Sequence, residues 1–435
     1  MIPRLGPRPL PLHMAMEGWI VQAAMAGLMP ALPPDSTPLS DGWAPSNPGS
    51  PMSPGLNPPL FNPVRLIAAA AAGKNPEAIT GPWSAYLDPT KFLDAVMGVG
   101  QQRLQDFVRG VRAYQSHPFH RTLTPPPPVW RQGVATLHDY GGDAAQPPAL
   151  FVPSLINRAY ILDLAPDRSL LRAAAQHVRA FLLDWGMPGS AEQAFSTTDY
   201  VNGVLIPALE EVKRRTGQAP RVVGYCMGGT LAAAPAVLRP DLVSALALLA
   251  APWDFSADAD TSRMMLGFSR PMIEVMLDAE GTASVDLLQA MFASLDPTLV
   301  GRKFRRFARL RPDSDEAERF VALEDWLNDG IPLAGPVARE CLFDWYGENA
   351  TARTEWKVGN QVIDPRKIAC PTLAFIPAQD RIVPPASAQA LVDAIPGARH
   401  QTVDLGHIGM VAAGGAAERV YQPLAAWLKA PAKHS

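Results

Sequence analysis

The sequence has few cysteines and no long apolar run, and each absence excludes a class of protein. Three cysteines, Cys226, Cys341 and Cys370, are too few for a disulfide framework, and they lack the C-x-x-C spacing of zinc sites. Such a sparse set is typical of a reducing compartment. No apolar run approaches the ~20 residues that span a bilayer, so no transmembrane segment is expected.

A strong charge of either sign is also missing. The 435 residues include 38 basic and 41 acidic side chains, which gives a net charge of −3. This balance gives no excess of positive charge that would attract nucleic acid or an anionic membrane surface. We expect a cytoplasmic protein. Secretion is the minor alternative, because Arg4 and Arg8 precede the apolar stretch MAMEGWIVQAAMAGLM as basic residues precede the apolar region of a signal peptide. Glu17 interrupts this apolar stretch and weakens the alternative.

Proline, by contrast, is concentrated near the N-terminus. Residues 1–60 hold 14 of the 46 prolines, including the stretch PALPPDSTPLSDGWAPSNPGSPMSPGLNPPL. Each proline removes a backbone donor and restricts the residue before it, so this stretch predicts a linker or an extended arm. The next segment, PTKFLDAVMGVGQQRLQDFVRGVRAY, has apolar residues at helical spacing and predicts a helix. The segment TPPPPVW then predicts a stiff spacer over Thr124–Trp130. Together these segments form an N-terminal extension, residues 1–130.

A regular alternation of strands and helices begins at about Ala149. The apolar runs ALFVPS, RAFLLDWG, RVVGY and LALLAAP are typical of strands that are buried on both faces, and helical segments separate them. This pattern predicts a mostly parallel sheet with helices on both faces. It stops after Trp253, gives way to a helical block over 256–345, and resumes with PTLAFIPAQD and RHQTVDLGH. We therefore predict an α/β-hydrolase core, 131–255 and 346–435, with an inserted helical cap, 256–345.

The segment VVGYCMGGTLAAA has the strand, tight turn and helix of a nucleophile elbow. Gly224 and Gly228 flank Cys226 in the G-x-nucleophile-x-G spacing, which leaves room for a strained turn that exposes the nucleophile. The backbone N–H of Met227 would then stabilise an oxyanion. The alternative is that Cys226 is a small buried hydrophobic residue, as free cysteines often are.

A thiol nucleophile needs a base and an acid, and both follow in the expected chain order. Asp380 comes directly after the strand TLAFIPA, and His407 follows the next apolar segment. The order Cys226, Asp380, His407 is that of an α/β-hydrolase triad. The alternatives are a turn aspartate and a capping or core histidine. A second oxyanion donor is expected in the loop FVPSLIN, from the backbone of Leu155 or Ile156, and these residues do not decide between the two.

These segments resemble the polyhydroxyalkanoate synthase family. The resemblance rests on FVPSLINRAYILDLAPDRSLLR, FLLDWGMP, the cysteine box GYCMGGT, the acid motif QDRIVPP and the histidine motif GHIGM. It implies an α/β-hydrolase core with a cap, no metal, and hydroxyacyl-coenzyme A thioesters as acyl donors. The family triad carries over to Cys226, Asp380 and His407. The motif sequences are most similar to those of the two-component synthases. The segment VPSLIN departs from the pattern, because it lacks the second proline and the aromatic residue of many relatives.

The resemblance implies an acyltransferase that makes polyester, with no cofactor besides its acyl-coenzyme A substrate. The expected partners are the growing chain, a polymer granule surface, and either a second copy or a partner subunit. A thioesterase, esterase or polyester depolymerase on the same scaffold is the second hypothesis, since the acyl-enzyme step is shared. An inactive granule-associated binding protein is the third. The basic run GRKFRRFARLRP is consistent either with binding coenzyme A phosphates or with a solvated helix face.

Overall fold

The apolar runs of the core become strands of one eight-stranded sheet in a computed structural model, which describes residues 4–25, 89–257 and 260–430. The strands are β1 (Pro128–Gln132), β2 (Ala135–Asp139), β3 (Pro148–Val152), β4 (Arg179–Asp184), β5 (Arg221–Tyr225), β6 (Ala245–Leu249), β7 (Thr372–Pro377) and β8 (Arg399–Val403). Their spatial order is β1-β2-β4-β3-β5-β6-β7-β8. Strands β1 and β2 are antiparallel to their neighbours, and all other pairs are parallel.

Helices occupy much of the chain between these strands and before β1. The α-helices are α1 (Leu10–Met25), α2 (Pro89–Gln115), α3 (Leu170–Ala174), α4 (Thr197–Tyr200), α5 (Ile206–Thr216), α6 (Met227–Leu238), α7 (Asp260–Glu280), α8 (Val285–Leu295), α9 (Leu299–Phe307), α10 (Asp315–Asn328), α11 (Gly335–Arg339), α12 (Pro385–Ala394), α13 (Gly409–Ala412) and α14 (Gln422–Lys429). Three π-helical segments, Val201–Leu205, Glu340–Gly347 and Ala417–Tyr421, extend helices of this set. The predicted α/β-hydrolase architecture is confirmed.

Burial explains why the central strands read as continuous apolar runs. Every residue of β3, β5 and β6 is buried. Alternate residues face opposite sides: Val222 lies in one apolar cluster, whereas Val223 and Tyr225 lie in the other. The period of two in a strand therefore divides one apolar run between two hydrophobic layers. The edge strand β8, in contrast, exposes four of its five residues.

The predicted spacer over Thr124–Trp130 is wrong at its C-terminal end. Pro128 begins β1, and Trp130 pairs with Leu137 of β2. A proline is tolerated there because β1 is an edge strand and Pro128 is its first residue. The proline run hides the strand because it leaves only a short apolar segment to recognise. The long proline-rich arm predicted from the sequence lies outside the described residues.

The described residues divide into two compact units. The first contains residues 4–25, 89–118 and 296–321, and the second contains 119–257, 260–295 and 322–430. The eight-stranded sheet lies entirely in the second unit. The block predicted as a cap is helical, and residues 296–321 of that block belong to the first unit.

The first unit is built around the aromatic face of α9. Phe304 contacts Phe107 and Tyr114 of α2 edge to face, with ring centroids 6.0 and 5.8 Å apart. Phe307 stacks on Phe320 at 4.2 Å. A Cβ on Gly110 would lie 2.0 Å from the carbonyl oxygen of Phe304, so only glycine allows α2 to approach this closely. Such edge-to-face and stacked pairs add to the burial of the rings.

The basic run on α9 is mostly paired with acidic side chains of the same unit. Arg305 is buried and bonds to buried Glu17 of α1, with Nη1 and Oε2 2.7 Å apart. Arg302 and Arg306 pair with Asp296 and Glu316. These pairings favour the structural interpretation of the run over binding of coenzyme A phosphates. They also explain the acidic residue that interrupts the apolar stretch of α1.

Removing the carboxylate of Glu17 should destabilise the first unit strongly. In Glu17→Ala, the Arg305 guanidinium stays buried without its partner, and we expect a loss of about 3–5 kcal/mol in the free energy of unfolding. The matched control is Glu316→Ala, which breaks the half-exposed pair with Arg306 and should cost less than about 1 kcal/mol. Urea unfolding, followed by circular dichroism, compares the variants. Equal losses in the two variants would contradict this account.

Candidate active site

Cys226 lies at the apex of a sharp turn between β5 and α6. Its backbone has φ 55° and ψ −131°, a conformation that is strained for a residue with a side chain. The surroundings hold it there: Cys226 N–H donates to the Leu249 carbonyl at 2.8 Å, and Gly229 N–H donates to the Cys226 carbonyl at 2.8 Å. This geometry is that of a nucleophile elbow, with the thiol half-buried at the end of the strand.

The glycines beside Cys226 permit two close backbone contacts. A Cβ on Gly224 would lie 2.4 Å from the Cα of Gly229, and a Cβ on Gly228 would lie 2.2 Å from the Val152 carbonyl oxygen. Real Cβ atoms do not approach other atoms this closely, so any side chain would force the elbow or the β3 loop to move. The spacing recognised in the sequence thus has a direct steric cause.

Asp380 and His407 meet at the carboxyl ends of β7 and β8. Oδ2 of Asp380 accepts a hydrogen bond from Nδ1 of His407 at 2.7 Å, and both side chains are buried. Oδ1 of Asp380 accepts bonds from the N–H groups of Ile382 and Val383 at 2.9 and 2.8 Å. Because Nδ1 is bound to Asp380, Nε2 is the ring nitrogen left to act on Cys226, which lies close enough to influence the pKa of His407. The three residues predicted from chain order are therefore together.

The charge of Asp380 favours the protonated form of His407. Burial by itself lowers the pKa of His407, but the Asp380 carboxylate and the Cys226 side chain outweigh this effect and raise the pKa above its ordinary value. A protonated imidazole is the form that would stabilise a thiolate on a neighbouring cysteine. Pairing of this kind is how proteins activate a cysteine nucleophile.

The loop after β3 distinguishes between the two predicted oxyanion donors. Ile156 N–H already donates to Oγ of Ser154 at 3.1 Å. The N–H of Leu155 has no hydrogen-bond acceptor among the residues that the structure describes. Met227 is the first residue of α6, where the N–H has no partner inside the helix. The geometry therefore favours Met227 and Leu155, and their role as donors stays a prediction.

An aromatic cluster that sequence reasoning missed lies close to the thiol. Tyr346 belongs to the π-helical segment Glu340–Gly347, and burial, followed by the nearby Cys226, raises its pKa well above the ordinary value. Its ring contacts Phe255 at 4.6 Å, and Phe255 also contacts Trp345 at 5.8 Å. The only signal was the aromatic content of LFDWYGEN, which predicts a buried helix equally well. π-helical turns are frequent at functional sites.

The remaining cysteines have the environment expected for structural residues. Cys341 is buried, and burial raises the pKa of its thiol well above the ordinary value. Burial also raises the pKa of Cys370, to about 11. Thiols in such surroundings are poor nucleophiles, because the thiolate is the reactive form. The environment of Cys226 is set apart from theirs by the adjacent His407.

The described ranges contain neither a cluster of metal ligands nor a membrane-spanning helix. Residues 4–25, 89–257 and 260–430 contain no group of three His, Cys, Asp or Glu side chains suited to hold a metal ion. The helices in the same ranges include none that is long and apolar enough to cross a membrane.

Comparison with known proteins identifies the family. The α/β hydrolase fold family matches residues 150–412. The poly(3-hydroxyalkanoate) polymerase subunit PhaC of Allochromatium vinosum is 30% identical over 318 residues, covering 70% of this chain and 88% of that protein. The chain belongs to the polyhydroxyalkanoate synthase family. The protein of the same name from Synechocystis sp. is 30% identical, and the match covers 70% of this chain and 84% of that protein. The one from Haloferax mediterranei is 32% identical, and the match covers 60% of this chain and 54% of that protein.

The family match contains every predicted site residue of this synthase-family chain. The range 150–412 includes the β3 loop with Leu155, the elbow with Cys226, and both Asp380 and His407. It leaves α1 and α2 of the first unit outside. The α/β hydrolase fold match therefore contains the candidate site and does not extend to the N-terminal helices.

Neutralising Asp380 should reduce the reactivity of the thiol. In Asp380→Asn the shape is kept, but the charge that raises the pKa of His407 is lost, so His407 loses its proton at a lower pH. We expect alkylation of Cys226 by iodoacetamide near neutral pH to slow about tenfold, the effect of roughly one pKa unit. Mass spectrometry of the Cys226 peptide measures the rate. Asp404→Asn, an exposed aspartate in the neighbouring loop, is the control, and equal slowing in both would refute the role of Asp380.

Proposed function

We propose that this chain transfers the acyl group of a hydroxyacyl-coenzyme A thioester to Cys226 and then to the hydroxyl end of a growing polyester chain. The observation that carries the proposal is the cysteine at a strained elbow, beside a buried Asp380–His407 pair, in a member of the polyhydroxyalkanoate synthase family. The substrate class is supported by relatives named as poly(3-hydroxyalkanoate) polymerase subunits.

In the first step, Nε2 of His407 takes the proton from Sγ of Cys226, and the thiolate attacks the carbonyl carbon of the thioester. The carbonyl oxygen becomes negative, and the N–H groups of Met227 and Leu155 stabilise it. The bond between this carbon and the coenzyme A sulfur then breaks. His407 returns the proton to the departing thiolate, which leaves as free coenzyme A. The product is an acyl thioester on Cys226.

In the second step, the hydroxyl group of the chain end gives its proton to His407 and attacks the acyl-Cys226 carbonyl. A new ester bond forms, the bond to Sγ breaks, and the Cys226 thiolate regains the proton from His407. The first exchange is near balance, since one thioester replaces another, so the acyl group stays activated for the second. A serine would form an oxygen ester instead and lose this driving force. Cysteine therefore suits transfer to an alcohol.

Water can attack the same intermediate, so the proposal requires that water be excluded. The contacts of Tyr346, Phe255 and Trp345 beside the thiol provide an apolar aromatic environment that supports this requirement. The mechanism uses no cofactor or metal. The partners we propose are hydroxyacyl-coenzyme A, the growing chain at a granule surface, and a second copy or partner subunit that completes the polymerase.

An assay with 3-hydroxybutyryl-coenzyme A tests the proposal. Coenzyme A release and polymer formation are followed together, and acylation of Cys226 is detected by mass spectrometry in a single turnover. We expect acyl-Cys226, coenzyme A release and polymer. Coenzyme A release without polymer would replace the proposal with a hydrolase. Absence of both release and acyl-Cys226 would support a binding protein without activity.

The cysteine itself is tested by Cys226→Ser. Because the oxygen ester formed by serine is a poor acyl donor, we expect polymer formation to fall by about 10³-fold or more. Cys370→Ser, which changes a half-buried thiol elsewhere in the same unit, is the matched control and should keep the parent rate. Equal rates for Cys226→Ser and the parent would rule out a covalent thioester intermediate.

A further inference from the structure

Tyr225, the residue directly before Cys226, contacts His407 in two ways. Its hydroxyl donates a hydrogen bond to the His407 carbonyl oxygen at 3.2 Å. Its ring faces the imidazole, with centroids 5.4 Å apart and an angle of 32° between the planes. Tyr225 is only 3% exposed, so the contact is held inside the protein core.

The alternation of side chains along β5 explains how this contact arises. Tyr225 is the last residue of the strand and lies in the same apolar cluster as Met410 and Val411, which follow His407 in the chain. The next residue, Cys226, begins the elbow. Two consecutive residues thus act at the site. Cys226 carries the nucleophile, and Tyr225 contacts both the main chain and the ring of His407.

We propose that Tyr225 is a positioning residue for His407, in which the hydroxyl fixes the main chain of the base and the ring supports the protonated imidazole. This inference rests on the proposed function, because it assigns His407 the role of base for Cys226. Small displacements of a catalytic base reduce rates strongly, since the reacting atoms need a near-attack geometry. A hydrogen bond and a ring contact from a buried strand end provide a rigid reference for that geometry.

The ring contribution has a separate electrostatic basis. An aromatic face attracts a cation within about 6 Å of its centroid, and the attraction is stronger away from water. The other titratable groups that act on His407 are the Asp380 carboxylate and the Cys226 thiol, and Tyr346 of the π-helical segment interacts with both of these and with Cys341. Tyr225 is thus an uncharged group that favours the imidazolium without neutralising the thiolate.

Two substitutions separate the hydroxyl from the ring. Tyr225→Phe removes the hydrogen bond and keeps the ring, whereas Tyr225→Leu removes both. The control is Tyr421→Phe, because Tyr421 is also buried and its hydroxyl also donates to a main-chain carbonyl, that of Val411 at 2.5 Å. The readouts are single-turnover acylation of Cys226 by 3-hydroxybutyryl-coenzyme A and the pH profile of Cys226 alkylation by iodoacetamide.

We expect Tyr225→Phe to slow acylation about tenfold while keeping the parent pH profile. In Tyr225→Leu, the pH at which His407 loses its proton should fall by about one unit, which slows alkylation near neutral pH by about fivefold to tenfold. Tyr421→Phe should leave both readouts unchanged, although it removes a buried hydrogen bond. Thermal unfolding of each variant confirms that it is folded.

Two results would overturn the inference. The first is an equal loss of acylation in Tyr225→Phe and Tyr421→Phe, which would make Tyr225 an ordinary core residue. The second is an alkylation profile of Tyr225→Leu that coincides with that of the parent. If the parent itself is not acylated, but the alkylation profiles shift as expected, then the proposed function fails while the positioning role of Tyr225 holds.

Discussion

The strained backbone of Cys226 is the constraint around which the candidate site is built. A side chain at φ 55° persists only where neighbouring groups determine the turn, and here hydrogen bonds from both sides and two glycines do so. The close approach of Gly228 to the end of β3 brings the Leu155 loop next to the elbow. One steric arrangement therefore shapes the turn at Cys226 and brings the loop of the candidate donor Leu155 next to it.

Burial determines how the charges in the site behave. Asp380 is removed from water, yet two backbone N–H groups and His407 satisfy its carboxylate. In such surroundings a paired charge acts on its neighbour more strongly than it does in water, which explains why Asp380, together with Cys226, outweighs the desolvation of His407. The same lack of water that strengthens this pair would also protect an activated thioester. Electrostatics and the proposed transfer chemistry thus require the same dry environment.

The predictions from sequence were reliable where a local pattern has one physical cause. The strand–turn–helix around Cys226 and the buried strands β3, β5 and β6 follow from such patterns, because tight turns need glycine and parallel strands need apolar residues on both faces. The predictions were weaker where a pattern has several causes. The proline run hid the start of β1, and the basic run was consistent with phosphate binding or a solvated helix face, whereas Arg305 is buried against a glutamate distant in sequence.

The amino-acid sequence alone was enough to specify the residue types of the candidate triad and their order, since both are properties of a linear motif. The preference for Leu155 over Ile156 as the candidate donor required the conformation of the loop after β3, because the hydroxyl of Ser154 accepts a hydrogen bond from the N–H of Ile156 and not from that of Leu155. The contact of Tyr225 with His407 likewise appears only when the sheet forms. Residues 182 positions apart meet there because parallel strands bring their carboxyl ends to one edge, and no local periodicity encodes that distance.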